Sequence, residues 1–122
     1  MRVAGRYRTV CRNDHAVPEN PPRPLSGRGS SLDIRIWLGP DGGTPLLLVN
    51  ASRKQGYAVQ RNRFRRRVRM AFLDLLKADP RLADFAGVVW VRPARGNSRK
   101  CLISYQEIEG QLRLAFSRWE SR

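Results

Sequence analysis

The chain has 122 residues and carries 24 Lys and Arg against 10 Asp and Glu, which gives a formal net charge of +14. This length favours one domain, and a hydrophobic content of 41% supplies one core, which excludes a fully disordered basic tail. No apolar run approaches the ~20 residues of a membrane span, and no apolar stretch follows the basic N-terminus as in a secretory signal. So large a charge calls for a polyanionic partner, nucleic acid first and an anionic membrane surface second.

The N-terminal part is predicted to be a basic segment followed by a linker, over residues 1–31. Residues 14–31 contain four prolines, two glycines and three serines. Prolines at this density fix φ and remove amide donors, so they favour a linker over a helix or strand. The folded domain is predicted over residues 32–122, with no internal repeat.

The first elements of that domain are predicted to be two strands. Residues 32–38 alternate apolar and polar side chains, which predicts a half-buried strand. The Gly/Pro-rich residues 39–43 predict a turn. The apolar run at residues 46–51 then predicts a buried strand paired with the first.

Helix, strand and helix are predicted to follow. From Ala58 to Lys77 there is no Gly or Pro, and apolar side chains recur at helical spacing. Residues 87–91 predict another buried strand. Ser104 and Glu107 have the spacing of a capping box, which predicts the start of an amphipathic C-terminal helix. A sheet of three or four strands covered by two helices would bury both apolar stripes, a small α+β fold.

A third of the basic residues lie in the acid-free segment 53–69. Like charges one turn apart destabilise a helix by about 0.2–0.5 kcal/mol per pair, so an external anion is expected to offset them. The planar donors of arginine suit phosphate oxygens. A merely solvated basic face is the alternative, but such faces usually mix both signs. Phe64, Val68 and Phe72 are predicted to face the core, and Asn62, Arg65, Arg66 and Arg69 the opposite side, flanked by Arg63 and Arg67.

The residues that precede this helix favour anion binding. Gly56 permits close backbone approach or a positive φ, and free amides at a helix start attract anions, although an ordinary strand-to-helix turn is the alternative. Trp37, Trp90, Tyr57 and Tyr105 are core candidates by pattern, with stacking on single-stranded bases as the functional alternative.

No catalytic set and no metal site can be assembled from the sequence. His15 is the only histidine and lies in the linker, whereas a protein ribonuclease needs a His pair or Glu with His. Cys11 and Cys101 are too few for a disulfide framework or a complete zinc site. We expect free thiols in a reducing compartment, the cytoplasm.

Residues 52–69 read S-R-K-Q-G-Y-A-V-Q-R-N-R-F-R-R-R-V-R. This run closely resembles the signature of the bacterial ribonuclease P protein component, S-x-K-x-G-x-A-V-x-R-N-x-x-[KR]-R-x-x-R, at every fixed position. The likeness continues through Asp84-Phe85, the strand before Arg92-Pro93, and the helix start at residues 104–108. It extends over about residues 45–119.

The resemblance implies a ribosomal-protein-like fold, with a small mixed sheet of three to four strands covered by two to three helices. It implies a left-handed crossover through the Arg-rich helix, against the general rule for parallel strands. Residues 7–10 would correspond to the first helix of the family.

The function that the resemblance implies is that of a subunit of the endoribonuclease that removes the 5′ leader from precursor tRNA. The RNA of ribonuclease P, with Mg²⁺, performs the hydrolysis, and the protein binds that RNA and the leader, with neither membrane nor DNA as partner. The RNA-binding positions carried over are Ser52, Arg53, Lys54, Gly56, Arg61, Asn62, Arg63, Arg65, Arg66 and Arg69. Tyr7 and Val10 are the corresponding contacts to the leader, in a cleft between the sheet, the first helix and the Arg-rich helix.

Two departures from the family pattern concern the leader cleft. Many members have Gly and Phe where this chain has Leu48 and Val49, and the Pro-rich stretch is longer than expected. The alternative function is a structural RNA-binding protein of the ribosomal-protein type, which explains the charge but not the ordered signature. A DNA-binding regulator would need a helix-turn-helix neighbour or a dimer surface, and the sequence indicates neither.

Overall fold

A computed structural model describes residues 22–26, 30–38, 45–79, 81–82, 87–95 and 100–120, together with the backbone of residues 8–10. The elements in chain order are β1 (Arg8–Val10), β2 (Leu32–Leu38), β3 (Leu46–Val49), a 3₁₀ turn (Arg53–Gln55), α1 (Ala58–Ala78), β4 (Gly87–Pro93) and α2 (Tyr105–Glu120). The predicted turn at residues 39–43 lies outside the described residues. No helix of the described part is long and apolar enough to cross a membrane.

The strands form one mixed four-stranded sheet in the order β1-β3-β4-β2, which confirms the predicted α+β class. β3 runs parallel to both β1 and β4, and β2 pairs antiparallel with β4. The prediction that the strands at 32–38 and 46–51 pair with each other is wrong, because β4 lies between them. β4 is a central strand and almost entirely buried, which explains its continuous apolar run.

The connection from β3 to β4 is a parallel crossover through α1. Such a connection needs a dozen or more residues, which the helix supplies. Its left-handed sense stays a prediction. The expected helix at residues 7–10 is wrong, because Arg8–Val10 is a strand paired with Leu46–Leu48. The β-branched Thr9 and Val10 suit that strand.

Helix α1 buries one face completely, as its apolar spacing predicts. Its start is fixed by Gln60, whose Oε1 accepts a hydrogen bond from the Tyr57 amide at 2.9 Å. Its end comes at Asp79, which is extended and precedes a proline. The buried side chains are Phe64, Val68, Ala71, Phe72, Leu75 and Leu76, which confirms the three core residues predicted.

Helix α2 packs beside α1 on the same side of the sheet. The Ser104 hydroxyl accepts a hydrogen bond from the Glu107 amide at 3.2 Å, which confirms the predicted cap. The rings of Phe72 and Phe116 stack with centroids 6.3 Å apart. Tyr105 donates a hydrogen bond to the Asp74 carboxylate and so joins the two helices at a polar point.

Alternation along the strands separates two apolar clusters. Ile34, Leu47 and Val89 point into the main core under the helices. Leu48 and Trp90 point the other way, into a smaller cluster with half-buried Trp37. We call the side of the sheet away from the helices, defined by Asp33, Arg35, Trp37, Leu46, Leu48, Val88, Trp90 and Arg92, the second face.

The contact between Tyr105 and Asp74 predicts a loss of stability in alkaline solution. The hydrogen bond to Asp74, with partial burial, raises the pKa of Tyr105 from 10.0 to about 12. The folded state therefore favours the neutral phenol, and its contribution is complete below pH 10 and disappears as the pH rises towards 12. Urea unfolding from pH 9 to 12 should show this loss in the wild type and a smaller one in Tyr105→Phe. Equal losses would contradict the assignment.

Candidate nucleic-acid interface

The segment between β3 and α1, residues 52–56, forms a tight loop that we call the signature loop. Gly56 has a φ of +143°, and a Cβ there would lie 2.5 Å from Gln60 Oε1, the atom that caps α1. The thiol of the buried Cys101 donates a hydrogen bond to the Gln55 carbonyl oxygen at 3.0 Å and so joins the loop to the segment before α2. Only glycine fits this position, as the sequence indicated.

Five of the six arginines of α1 form two groups. The sixth, Arg69, was predicted on the side opposite the core, but it is half-buried and has a partner. Three half-buried ones donate hydrogen bonds to backbone carbonyl oxygens: Arg61 to Gly56 at 3.2 Å, Arg65 to Ala51 at 3.2 Å and Arg67 to Ile103 at 3.0 Å. These contacts join the helix to the signature loop, to the end of β3 and to the segment before α2. No sequence pattern predicts these hydrogen bonds, because each acceptor is a main-chain atom.

Arg65 differs from its predicted position. It lies on a flank of α1, half-buried, and donates a second hydrogen bond to Asn62 Oδ1 at 3.0 Å. Asn62 itself is exposed. Arg65 therefore uses some of its donors for bonds within the protein, to Asn62 and to Ala51. The side of α1 opposite the core is centred on Arg66.

Arg63 and Arg66 are exposed, and within the described part of the chain neither has a hydrogen-bond or ion-pair partner. Ser52, Arg53 and Lys54 of the signature loop are exposed as well. No acidic residue occurs between Asp41 and Asp74. We call the exposed cations Arg53, Lys54, Arg63 and Arg66 the cationic face; its rigid, uncompensated charge is suited to a row of phosphates.

The second face carries a cluster of charged and aromatic side chains that the sequence analysis missed. The guanidinium carbons of Arg35 and Arg92 lie 5.7 and 4.6 Å from the centroid of the Trp90 ring. Asp33 bonds both arginines, at 3.1 and 3.0 Å. Trp37 meets Trp90 edge-on, with centroids 6.4 Å apart. Residues 33, 35 and 37 are alternate residues of β2, so their side chains lie on one face of the sheet. This spacing was the sequence signal that could have predicted the cluster.

A cavity of about 500 Å³ opens where the parallel strands β3 and β4 end. It is lined by Asn50, Ser52, Lys54, Gln55, Arg92, Pro93 and Arg95. The Asn50 Oδ1 atom is buried there without a partner among the described residues. The cavity therefore presents the cations Lys54, Arg92 and Arg95 beside a buried amide oxygen.

The aromatic residues have unequal positions. Trp90 is buried and Trp37 and Tyr105 are half-buried, as their pattern predicted. The core interpretation of Tyr57 is wrong, because its side chain is 80% exposed at the start of α1. The Val10 backbone lies in β1 opposite Leu48, and Tyr7 lies outside the described residues.

The remaining candidate residues of the sequence are the two cysteines and the single histidine. No group of three or more His, Cys, Asp or Glu side chains there could hold a metal ion. Cys101 is a buried free thiol, and Cys11 and His15 lie outside the described part.

Comparison with known proteins assigns the chain that carries this basic surface to a family. A family model described as Ribonuclease P matches residues 27–119. The chain belongs to the Ribonuclease P family. Its signature loop and α1 lie within the matched range, together with β2 to β4 and most of α2. No curated protein sequence matches the chain.

Two solved structures of the Staphylococcus aureus RNase P protein resemble this family member in fold. The first is 18% identical, with a TM-score of 0.55 over 75% of this chain and 77% of that chain. The second, a mutant with defective mRNA degradation activity, is 17% identical, with a TM-score of 0.58 over 78% and 74%. At these identities the likeness shows a shared fold.

The glycine of the signature loop yields a matched pair of variants. Gly56→Ala forces a side chain into the left-handed region and against Gln60, so the free energy of unfolding should fall by about 1–3 kcal/mol. Gly110→Ala, in α2 with no atom within 4 Å of the new Cβ, should instead raise it, by at most about 1 kcal/mol. Urea unfolding measures both. If Gly56→Ala leaves the free energy of unfolding unchanged, the loop does not need a positive φ at this position.

Proposed function

We propose that this chain is the protein subunit of a bacterial ribonuclease P, which binds the RNA subunit and promotes removal of the 5′ leader from precursor tRNA. The observation that carries the proposal is the cationic face: exposed cations on a rigid helix and loop, without acids, in a member of the Ribonuclease P family. The chain itself supplies binding and not hydrolysis. We propose the cytoplasm as its compartment.

The mechanism that we propose is charge neutralisation at fixed positions. Phosphates of the RNA subunit approach Arg63 and Arg66, whose planar guanidiniums can bond two oxygens each, while Lys54 acts as a point charge. Because α1 is packed on the core, the backbone that carries Arg63 and Arg66 needs no ordering on binding. The described residues provide no carboxylate cluster for Mg²⁺, so the proposal assigns the metal to the RNA.

The precursor leader is proposed to lie along the second face and into the cavity at its edge. Arg35 and Arg92 lie against the Trp90 ring, and Arg92 also lines the cavity together with Lys54 and Arg95. These arginines are suited to the phosphates of an unpaired strand. Tyr7 and Val10 remain predicted contacts to the same leader.

Reconstitution tests the proposal directly. The full chain is added to a bacterial ribonuclease P RNA and a precursor tRNA at a Mg²⁺ concentration that limits the RNA alone. We expect faster release of the 5′ leader and tighter binding of precursor than of mature tRNA. A heat-denatured sample of the chain serves as the control. Unchanged cleavage would contradict the function.

A ribosomal-type RNA-binding role is the alternative that the charge alone allows. It predicts that the chain co-purifies with ribosomal subunits and not with a free RNA. The ordered signature of residues 52–69 favours the ribonuclease P role instead.

Arg66→Ala separates binding from folding. Loss of one phosphate contact should weaken RNA binding and reduce the slope of log affinity against log salt by about one unit. The stability of the free protein should change little, because Arg66 is exposed. Phe64→Ala, two positions earlier on the opposite side of the helix and fully buried, should instead cost about 3–5 kcal/mol of unfolding free energy. Unfolding of Arg66→Ala with unchanged affinity would contradict the orientation of α1.

A further inference from the structure

A shallow groove lies beside the signature loop, on the other side of the 3₁₀ turn from the cavity at the strand ends. It is lined by Arg53, Lys54, Gln55, Gly56, Tyr57, Gln60, Lys100 and Leu102. We call it the Tyr57 groove. Tyr57 and Leu102 are its apolar members, 80% and 54% exposed. Among the described residues that line it are three cations and no acid, so it differs from an ordinary apolar docking surface.

The backbone that carries the Tyr57 ring is firmly held. Its amide donates to Gln60 Oε1 at 2.9 Å, and its carbonyl oxygen accepts from the Arg61 amide at 2.9 Å. Arg61 also bonds the preceding Gly56 carbonyl oxygen through Nε at 3.2 Å. Since tyrosine has only two side-chain torsions, ordering this ring on binding costs little entropy.

The chemistry of the groove fits a nucleotide better than a purely apolar or purely anionic ligand. A flat ring offers a surface on which any base can stack, and the cations beside it attract the attached phosphates. The combination of Tyr57 with Lys54 and Arg53 therefore suits an unpaired nucleotide.

The groove includes Arg53 and Lys54 of the cationic face, and the other two members, Arg63 and Arg66, lie further along α1. Val59, 63% exposed, lies between Tyr57 and these arginines, and residues 59, 63 and 66 share one side of the helix at spacings of four and three. A strand whose phosphates lie on Arg63 and Arg66 can therefore reach Tyr57 without crossing the second face. This continuity favours the RNA subunit over the precursor leader as the occupant.

We propose that the Tyr57 groove binds an unpaired nucleotide of the ribonuclease P RNA, with its base stacked on the Tyr57 ring and its phosphate at Lys54 and Arg53. The proposal rests on the proposed function and adds a contact that depends on the ring and not on charge. Tyr57 is therefore a binding residue for RNA.

Two substitutions at this position separate stacking from other roles. Tyr57→Ala should raise the Kd for a bacterial ribonuclease P RNA by about 5- to 100-fold, because it removes one base–aromatic stack. Tyr57→Phe keeps the ring and should stay within about twofold of the wild type. The salt slope should not change in either variant, since no charge is lost. An equal loss in Tyr57→Phe would overturn stacking.

Control variants distinguish failure of the groove proposal from failure of the proposed ribonuclease P function. Leu114→Ala removes a 47% exposed apolar side chain from α2 and should bind as the wild type does. If Tyr57→Ala also binds as the wild type does while Arg66→Ala binds more weakly, the groove proposal fails and the proposed function stands. If the wild type itself does not bind the RNA, both fail.

Ultraviolet crosslinking of the wild-type complex gives a second readout. With isotope-labelled RNA in the complex, mass spectrometry of the digest should find a labelled nucleotide attached to the peptide that contains Tyr57. An excess of unlabelled ribonuclease P RNA should replace this labelled adduct. Crosslinks confined to other peptides would overturn the proposed contact.

Discussion

Helix α1 has to reconcile two opposing demands, and the rest of the structure depends on how it does so. One face enters the core through Phe64, Val68 and Phe72, which are fully buried. The remaining surface carries arginines that repel one another, with no acid in the first four turns. Burial of two phenylalanines and a valine contributes several kcal/mol, on the order of 1.5–3 for each side chain, and so outweighs repulsion of a few tenths per pair. The core thereby holds in place a charge that the helix alone would disfavour.

The two groups of arginines differ in their contacts: one group bonds the protein backbone, and the other is exposed to solvent. Arg61, Arg65 and Arg67 bond main-chain oxygens of three different segments, so they fix the signature loop and the end of β3 relative to α1. Arg63 and Arg66 stay exposed on the positioned helix. Some arginines of this run therefore stabilise the fold through hydrogen bonds within the protein, although the run looks uniform in sequence. Their guanidiniums suit both tasks, because each has several donors in a fixed plane.

Local patterns in the sequence predicted the parts of the fold that depend on near neighbours. The extent of α1, its buried residues and the Ser104 cap all follow from spacings of three or four. The strand pairing did not follow, because β4 enters between β2 and β3 only through the long crossover. Residues 7–10 were expected in a helix, and parallel pairing with β3 overrides that expectation. Tyr57 looked like a core residue, but its place at the helix start, just after Gly56, turns it outward. The bonds from Arg65 and Arg67 to main-chain oxygens have no sequence pattern at all.

In the proposed complex, positioned charge and not total charge binds the RNA. The most direct measurement compares two charge-matched double variants in binding to a bacterial ribonuclease P RNA at fixed salt. Arg63→Ala with Arg66→Ala removes two cations of the cationic face, and Arg81→Ala with Arg113→Ala removes two exposed cations that pair with Asp79 and Glu109 elsewhere. We predict a loss of affinity of at least about tenfold for the first and little change for the second, since only the first removes phosphate contacts. Equal losses would contradict the claim and would mean that net charge alone drives binding.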